Sequence, residues 1–275
     1  MDKIILGDRL YNILNTSKYA IFKLGEFLQL SYNAFEFTAS NIKNSKEITF
    51  KMKYPCGVRP DGQTILSELT YKKDDYIKHY QHLAQFQLPL NGIYQLVTTT
   101  EIMLADLIRE ILLEHPKKIG KKRTILFSSI FECSSLEDIH LTATSSFINE
   151  LSYKSPGDFA ETASEIFSFN ILEIPAYHKY IEVKATRDIF IHDRGIANLT
   201  YKNKASTHSR VAPGETLPMN IAYFLYSYEA CLKLNEILIE KFHDIWQSSE
   251  YTKYKKLLTT QSTGSEPAPS ASSSQ

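Results

Sequence analysis

The chain has 275 residues, and its 31 Lys plus Arg are offset by 31 Asp plus Glu, leaving a formal net charge of zero. That balance disfavours a protein that coats nucleic acid or membrane surfaces by bulk charge. Hydrophobic residues make up 43%, with 17 Tyr and 15 Phe among them, which is enough for one or two cores and argues against global disorder.

The N-terminal part reads as an α+β module over 1–89. The opening MDKIILGDRLYNIL has no basic region ahead of a long apolar stretch, and nowhere do 18 apolar residues run together. A helix is expected at about 18–42. In ITFKMKY, Ile48, Phe50, Met52 and Tyr54 alternate with Thr49, Lys51 and Lys53, the period-two pattern of a half-buried strand. The turn-rich PCGVRPDGQ follows, and 64–71 reads as the returning strand, with another helix at about 74–87.

From 90 to 250 the expectation is mostly helix. Ile93, Val97, Thr100, Leu104, Leu107, Ile108, Ile111 and Leu112 share one helical face, which ends at His115-Pro116 and Gly120. Helices are expected at 136–151, from Ser155 as N-cap with Pro156 at the first helical position through about Glu165, and over 176–193 with Gly195 ending the last one. Apolar residues from Leu217 to Trp246 recur at steps of three and four, which predicts a long amphipathic helix over 218–247. The polar, Ser-rich 261–275 reads as a disordered tail. The fold class is therefore mainly α, a helical bundle with a smaller α+β module in front.

Three widely spaced cysteines, Cys56, Cys133 and Cys231, fit free thiols in a reducing compartment better than a disulfide framework. A soluble cytoplasmic protein with no membrane span, no metal site and no cofactor is the expectation. His79 and His82 sit three apart, but no Cys, Asp or Glu set completes a metal site around them.

The segment ATRDIFIHDRGIANLTYKNK, at 185–204, carries the most chemistry. Arg187 is followed by Asp188 and, after three apolar residues, by His192. This resembles the signature of the HEPN family (higher eukaryotes and prokaryotes nucleotide-binding domains), whose ribonuclease members carry Arg, a short spacer and His, commonly with a polar residue directly after the Arg. Arg109 and His115 have a similar spacing, but a Glu follows that Arg, and His115 precedes Pro116 at a helix end. Helical surroundings, the polar Asp188 and the helix-ending Gly195 single out Arg187 and His192.

The resemblance implies a metal-independent endoribonuclease, active as a homodimer whose two motifs face each other. The reaction needs a base, a proton for the leaving oxygen and a cation for the charged transition state. Imidazole suits proton transfer near neutrality, and a guanidinium offers a planar donor fork to phosphate oxygens. On an ideal helix Asp188 and His192 stack four apart, so the carboxylate is placed to orient the imidazole, whereas Arg187 and His192 diverge by about 140°. Asp188 pairing with Arg187, Lys184 or Arg194 on a solvated face is an equal alternative. Lys184, Arg194, Asn198 and Tyr201 are candidate RNA contacts, although Asn198 and Tyr201 also suit a simple turn.

A basic run of Lys117, Lys118, Lys121, Lys122 and Arg123 is a second candidate for backbone phosphates, or a solvated loop. Phe167 and Phe169 read as core rather than a base-stacking platform. Family members often serve as toxins or abortive-infection effectors in antiviral defence, which implies an antitoxin or sensor partner. Two competing readings remain: a non-catalytic HEPN-like module that binds RNA, a nucleotide or a protein, and an assembly protein working through its long C-terminal helix. Neutrality also hides a local pattern. Residues 179–210 hold seven Lys or Arg against three acids, while 211–250 hold six acids against two bases.

Overall fold

The computed structural model describes residues 5–120, 124 and 127–263. It is mainly helical with a single two-stranded sheet among the described residues. In chain order come α1 (Leu6–Asn44), β1 (Thr49–Val58), β2 (Thr64–Lys72), α2 (Lys73–His82), a π-helical turn (Leu83–Gln87), α3 (Leu88–Glu114), a 3-10 turn (Pro116–Ile119) and α4 (Phe127–Phe131). There follow α5 (Leu136–Ser152), α6 (Pro156–Phe167), a 3-10 turn (Ile171–Glu173), α7 (Pro175–His192), α8 (Leu199–Ala205), a 3-10 turn (Ser206–His208), α9 (Ile221–Ile245) and α10 (Ser249–Thr263).

The chain forms two compact units, each assembled from separated stretches. One comprises Met1–Lys18, Glu101–Pro175 and Lys233–Gln275; the other comprises Tyr19–Thr100 and Ala176–Leu232. Residue 90 lies inside α3, and the unit boundaries fall within α1, α3, α7 and α9.

In the unit containing Met1–Lys18, buried Leu10, Leu14, Met103, Leu107, Ile111, Leu234 and Leu238 form the interior. The amide nitrogen of buried Asn235 donates to the Leu14 carbonyl at 3.0 Å. Phe167 is fully buried core, and its ring lies 5.6 Å from the partly buried Phe169 and 5.0 Å from Phe242. Asp8 accepts from the Ser248 and Ser249 hydroxyls and the Glu250 amide, tying the start of α1 to the first turn of α10. Helix α10 is absent from the sequence expectation and reaches Thr263, into the stretch expected to be disordered; residues 264–275 lie outside the described residues.

In the other unit, α1, α3 and α9 pack so closely that a Cβ on Gly92 would lie 2.6 Å from the Phe224 ring and 2.8 Å from Leu28 Cδ2. Only glycine fits that approach. The π-helical turn precedes Pro89, and the Leu88 amide reaches back five residues to the Leu83 carbonyl. Proline lacks an N–H and clashes with the carbonyl four residues back, so the widened turn absorbs it, and α2 passes into α3 without a loop.

The strands pair antiparallel, with Phe50 opposite Tyr71, Met52 opposite Leu69 and Lys53 opposite Glu68. Only the base of the hairpin is packed: Tyr76 of α2 stacks on Phe50 at 5.4 Å and on Tyr71 at 5.2 Å. Along β1, Phe50, Met52 and Tyr54 are half-buried and alternate with exposed residues, and from Pro55 onward the strand is exposed. Ile48, expected on the apolar face of the strand, lies just before β1 and is 79% exposed.

Candidate functional site

Helix α7 has an unusual environment. Ala176, Tyr177, Tyr180, Ile181, Val183, Ala185 and Ile189 are buried, and so are the polar Glu182 and Thr186. A carboxylate with 1% exposure must be paired to remain charged. The fold supplies four donors to it. Glu182 Oε1 accepts from the Thr186 hydroxyl at 2.7 Å, the Tyr201 hydroxyl at 2.9 Å and Arg210 Nε at 3.0 Å, and Oε2 accepts from the Tyr223 hydroxyl at 2.9 Å.

Arg210 completes the hub. Its other nitrogens donate to the Pro218 carbonyl at 2.7 Å and the Thr186 hydroxyl at 3.2 Å, and its guanidinium lies 3.5 Å from the centre of the Tyr223 ring. Burial works against the Arg210 charge, but Tyr223 and Glu182 outweigh it and raise its pKa. Burial, with the Glu182 charge behind it, pushes the Tyr223 phenol well above its ordinary range. The hub joins α7, α8, the segment before α9 and α9 itself.

Arg187, Asp188 and His192 lie on the accessible strip of α7. With Lys184 and Ile191 they occupy one sector of about 140° on an ideal helix, while most of the remaining circumference is buried. Arg187 and Asp188 are partly exposed, and His192 is exposed in the last turn. Beyond it Arg194 and Gly195 both take positive φ, 54° and 84°, and the Gly195 amide bonds to the Ile189 carbonyl at 3.2 Å. A Cβ at Gly195 would meet the Phe190 ring at 2.8 Å, so glycine is required on two counts. The chain then pairs with a returning stretch through an Ile196–Thr216 bridge, and the Leu217 amide bonds to the Gly195 carbonyl at 2.8 Å. Buried Ala185, Ile189, Ala197, Tyr201, Ala205 and Leu217 fill the space behind the motif.

The Asp188 carboxylate is shared by two cations. Arg187 Nε lies 3.3 Å from Oδ1, and Lys204 Nζ of α8 lies 3.2 Å from Oδ2. Among the described residues no hydrogen bond joins Asp188 to His192, so the expected orienting contact gives way to an ion-pair cluster. Helix α8 delivers Lys204 because Asn198 caps it, accepting from the Tyr201 amide at 2.8 Å and donating to Asp193 at 2.8 Å.

No protein-family model, curated protein or solved structure matches the chain.

Several sequence-based assignments change. Tyr201 is 1% exposed and bound to Glu182, so it is a core residue and not an RNA contact. Asn198 is committed to the helix cap. Arg194 is exposed, while Lys184 borders the motif strip. Lys118 is occupied at the end of α6, donating to the Glu165 carbonyl at 3.2 Å and Ser168 Oγ at 2.7 Å, and its burial lowers its pKa. Lys117 is exposed and belongs with Lys118 to the unit that does not contain Arg187; Lys121, Lys122 and Arg123 lie outside the described residues. Arg109 pairs with Asp106, and the His115 ring faces Trp246 at 6.4 Å, so that similarly spaced pair has structural partners. His79 and His82 stack on Tyr71 and Phe86, and among the described residues no three His, Cys, Asp or Glu side chains are grouped to hold a metal ion.

Sequence reasoning missed Glu182, Arg210, Tyr223 and Lys204. An acid within the apolar stretch YIEVKA was the available signal, since an acid at a core position demands partners. Their identity depends on how 193–217 folds back.

Proposed function

We propose that the chain is a metal-independent endoribonuclease of the HEPN type, acting as a homodimer. The observation that carries this reading is the placement of Arg187 and His192. They are accessible at the end of a helix whose other faces are buried and anchored by a charged hub. A rigid helix holding an accessible cation and an imidazole meets the demand for positioned groups. Exposed Ile191, Ile196 and Leu199 surround the motif, with 50%, 49% and 69% of their surface accessible, and support a second copy docking here. That copy brings a second Arg187 and His192 into one cleft.

In the reaction the RNA 2′-hydroxyl attacks the adjacent phosphorus. One His192 takes the 2′ proton, and the protonated His192 of the second copy gives a proton to the leaving 5′ oxygen as its bond to phosphorus breaks. The products are a 2′,3′-cyclic phosphate and a 5′-hydroxyl. Arg187 binds the phosphate oxygens, where negative charge builds up. A cytoplasmic toxin or antiviral defence effector, with an antitoxin or sensor protein as partner, is the role this activity fits. The test is incubation of RNA with the protein in EDTA, beside His192→Ala and Arg187→Ala. Cleavage that persists in EDTA and is lost in both variants is expected; equal cleavage by all three proteins would refute the assignment.

The non-catalytic reading has one observation in its favour. Asp188 is engaged by Arg187 and Lys204 rather than by His192. RNA binding without cleavage by the unaltered protein would establish it.

A further inference from the structure

Lys204 lies seventeen residues beyond Arg187 and outside the Arg-to-His motif, yet the fold sets its ammonium on the same carboxylate. Three features mark the two cations. They share one anion, so the Arg187–Asp188–Lys204 group keeps a net positive charge. Each retains access to solvent, with side-chain exposures of 20% for Arg187 and 32% for Lys204. Their separation is also fixed from behind. Tyr201, one helical turn before Lys204, is locked by its hydroxyl to Glu182, five residues before Arg187 on α7. A rigid pair of partly exposed cations held by one carboxylate is suited to a doubly coordinated oxyanion, which Lys recognises as a point charge and Arg as a fork.

We propose that Lys204 is a phosphate-binding residue of the site, held beside Arg187 by Asp188, and that its ligand is a backbone phosphodiester of single-stranded RNA. The identity of the ligand rests on the ribonucleolytic reading above. Asp188 then acts as a placeholder, occupying the two cations until the phosphate arrives and keeping them together. Removing its charge strengthens phosphate binding, whereas removing Lys204 weakens it.

The experiment measures binding of a fluorescent 2′-O-methyl oligonucleotide, which lacks the attacking hydroxyl, across a salt series. Cleavage of the matching RNA is followed in parallel. The proteins are the full chain, Lys204→Ala, Lys204→Arg, Asp188→Asn and, as a charge-matched control on α10, Lys253→Ala. Lys204→Ala is expected to weaken binding about tenfold. It should also make the salt dependence shallower by about 0.7 in the logarithmic slope, the loss of one phosphate contact on a single strand. Lys204→Arg restores most of the affinity, Asp188→Asn binds more tightly, and Lys253→Ala matches the unaltered chain. A purely structural ion pair would make Lys204→Ala and Asp188→Asn change binding in the same direction, and that result overturns the proposal. Unchanged binding in Lys204→Ala with cleavage intact removes Lys204 alone. Lys204-dependent binding with no cleavage by the unaltered chain keeps Lys204 and removes the catalytic reading, and no binding by any of the proteins overturns both.

Discussion

Arg210 donates from Nε to Glu182 Oε1 at 3.0 Å, and the two residues are 28 positions apart in the chain. One lies in the buried body of the motif helix and the other in the segment that returns from α8 to α9. This bond, with the tyrosine hydroxyls around it, closes the loop that carries Asn198 and Lys204.

The first expectation concerns that bond. Arg210→Met leaves the Glu182 carboxylate buried with its cation removed, which costs about 3–5 kcal/mol when such a pair is broken from one side. The double variant Glu182→Leu, Arg210→Met should lose less than the sum of the single changes, because it leaves no lone charge. Urea unfolding of all four proteins decides it. Strict additivity would show that the hub does not act as a unit.

At the helix end, Gly195 combines φ of 84° with a ring where a Cβ would stand. Gly195→Ala is expected to destabilise the protein by about 1–3 kcal/mol. RNA cleavage should fall further than the folded fraction does, since the turn follows His192 directly. A thermal melt paired with an activity assay separates the two effects, and an unchanged melting temperature would contradict the strain.

Lys118 and Lys117 should respond differently although they are neighbours. Lys118→Ala removes two hydrogen bonds at the end of α6 and is expected to cost about 1–2 kcal/mol, while Lys117→Ala, at an exposed position, stays within about 0.5 kcal/mol. Neither should change affinity for the uncleavable oligonucleotide by more than about twofold, a change of under half a kcal/mol. A large loss of binding in either variant would restore the basic run as an RNA contact.

Asp8 sets an acid limit on stability. Burial pulls its carboxyl upward, but hydrogen bonds from Ser248, the Glu250 amide and Ser249 outweigh burial and hold it below its ordinary value of 3.8. A group lowered in this way binds its proton more readily in the unfolded chain. Its contribution is therefore complete above that ordinary value and is lost as the pH falls through the lowered native value. Asp8→Asn should have a lower urea midpoint than the unaltered chain at pH 7, and the gap should narrow at pH 3. A gap that stays constant would mean that charge plays no part.

What the sequence determined alone was local. Steps of three and four marked α3 and α9, and alternation from Phe50 to Tyr54 marked the hairpin, because apolar spacing repeats with the backbone geometry. Ser155, Pro156 and Gly195 marked helix ends through their own φ preferences and capping chemistry. That Asp188 and His192 share a face was likewise readable, since they are four apart, whereas Arg187 joins them on the accessible strip only because the rest of α7 is buried. The tertiary structure decided which charges meet. Nothing near Glu182 in the chain announces Arg210 or Tyr223, Tyr201 turns inward only because α8 folds back over α7, and Lys204 reaches Asp188 only on that short helix. A buried charge survives only with partners, and those partners come from stretches whose own patterns are silent until the loop at 193–217 closes.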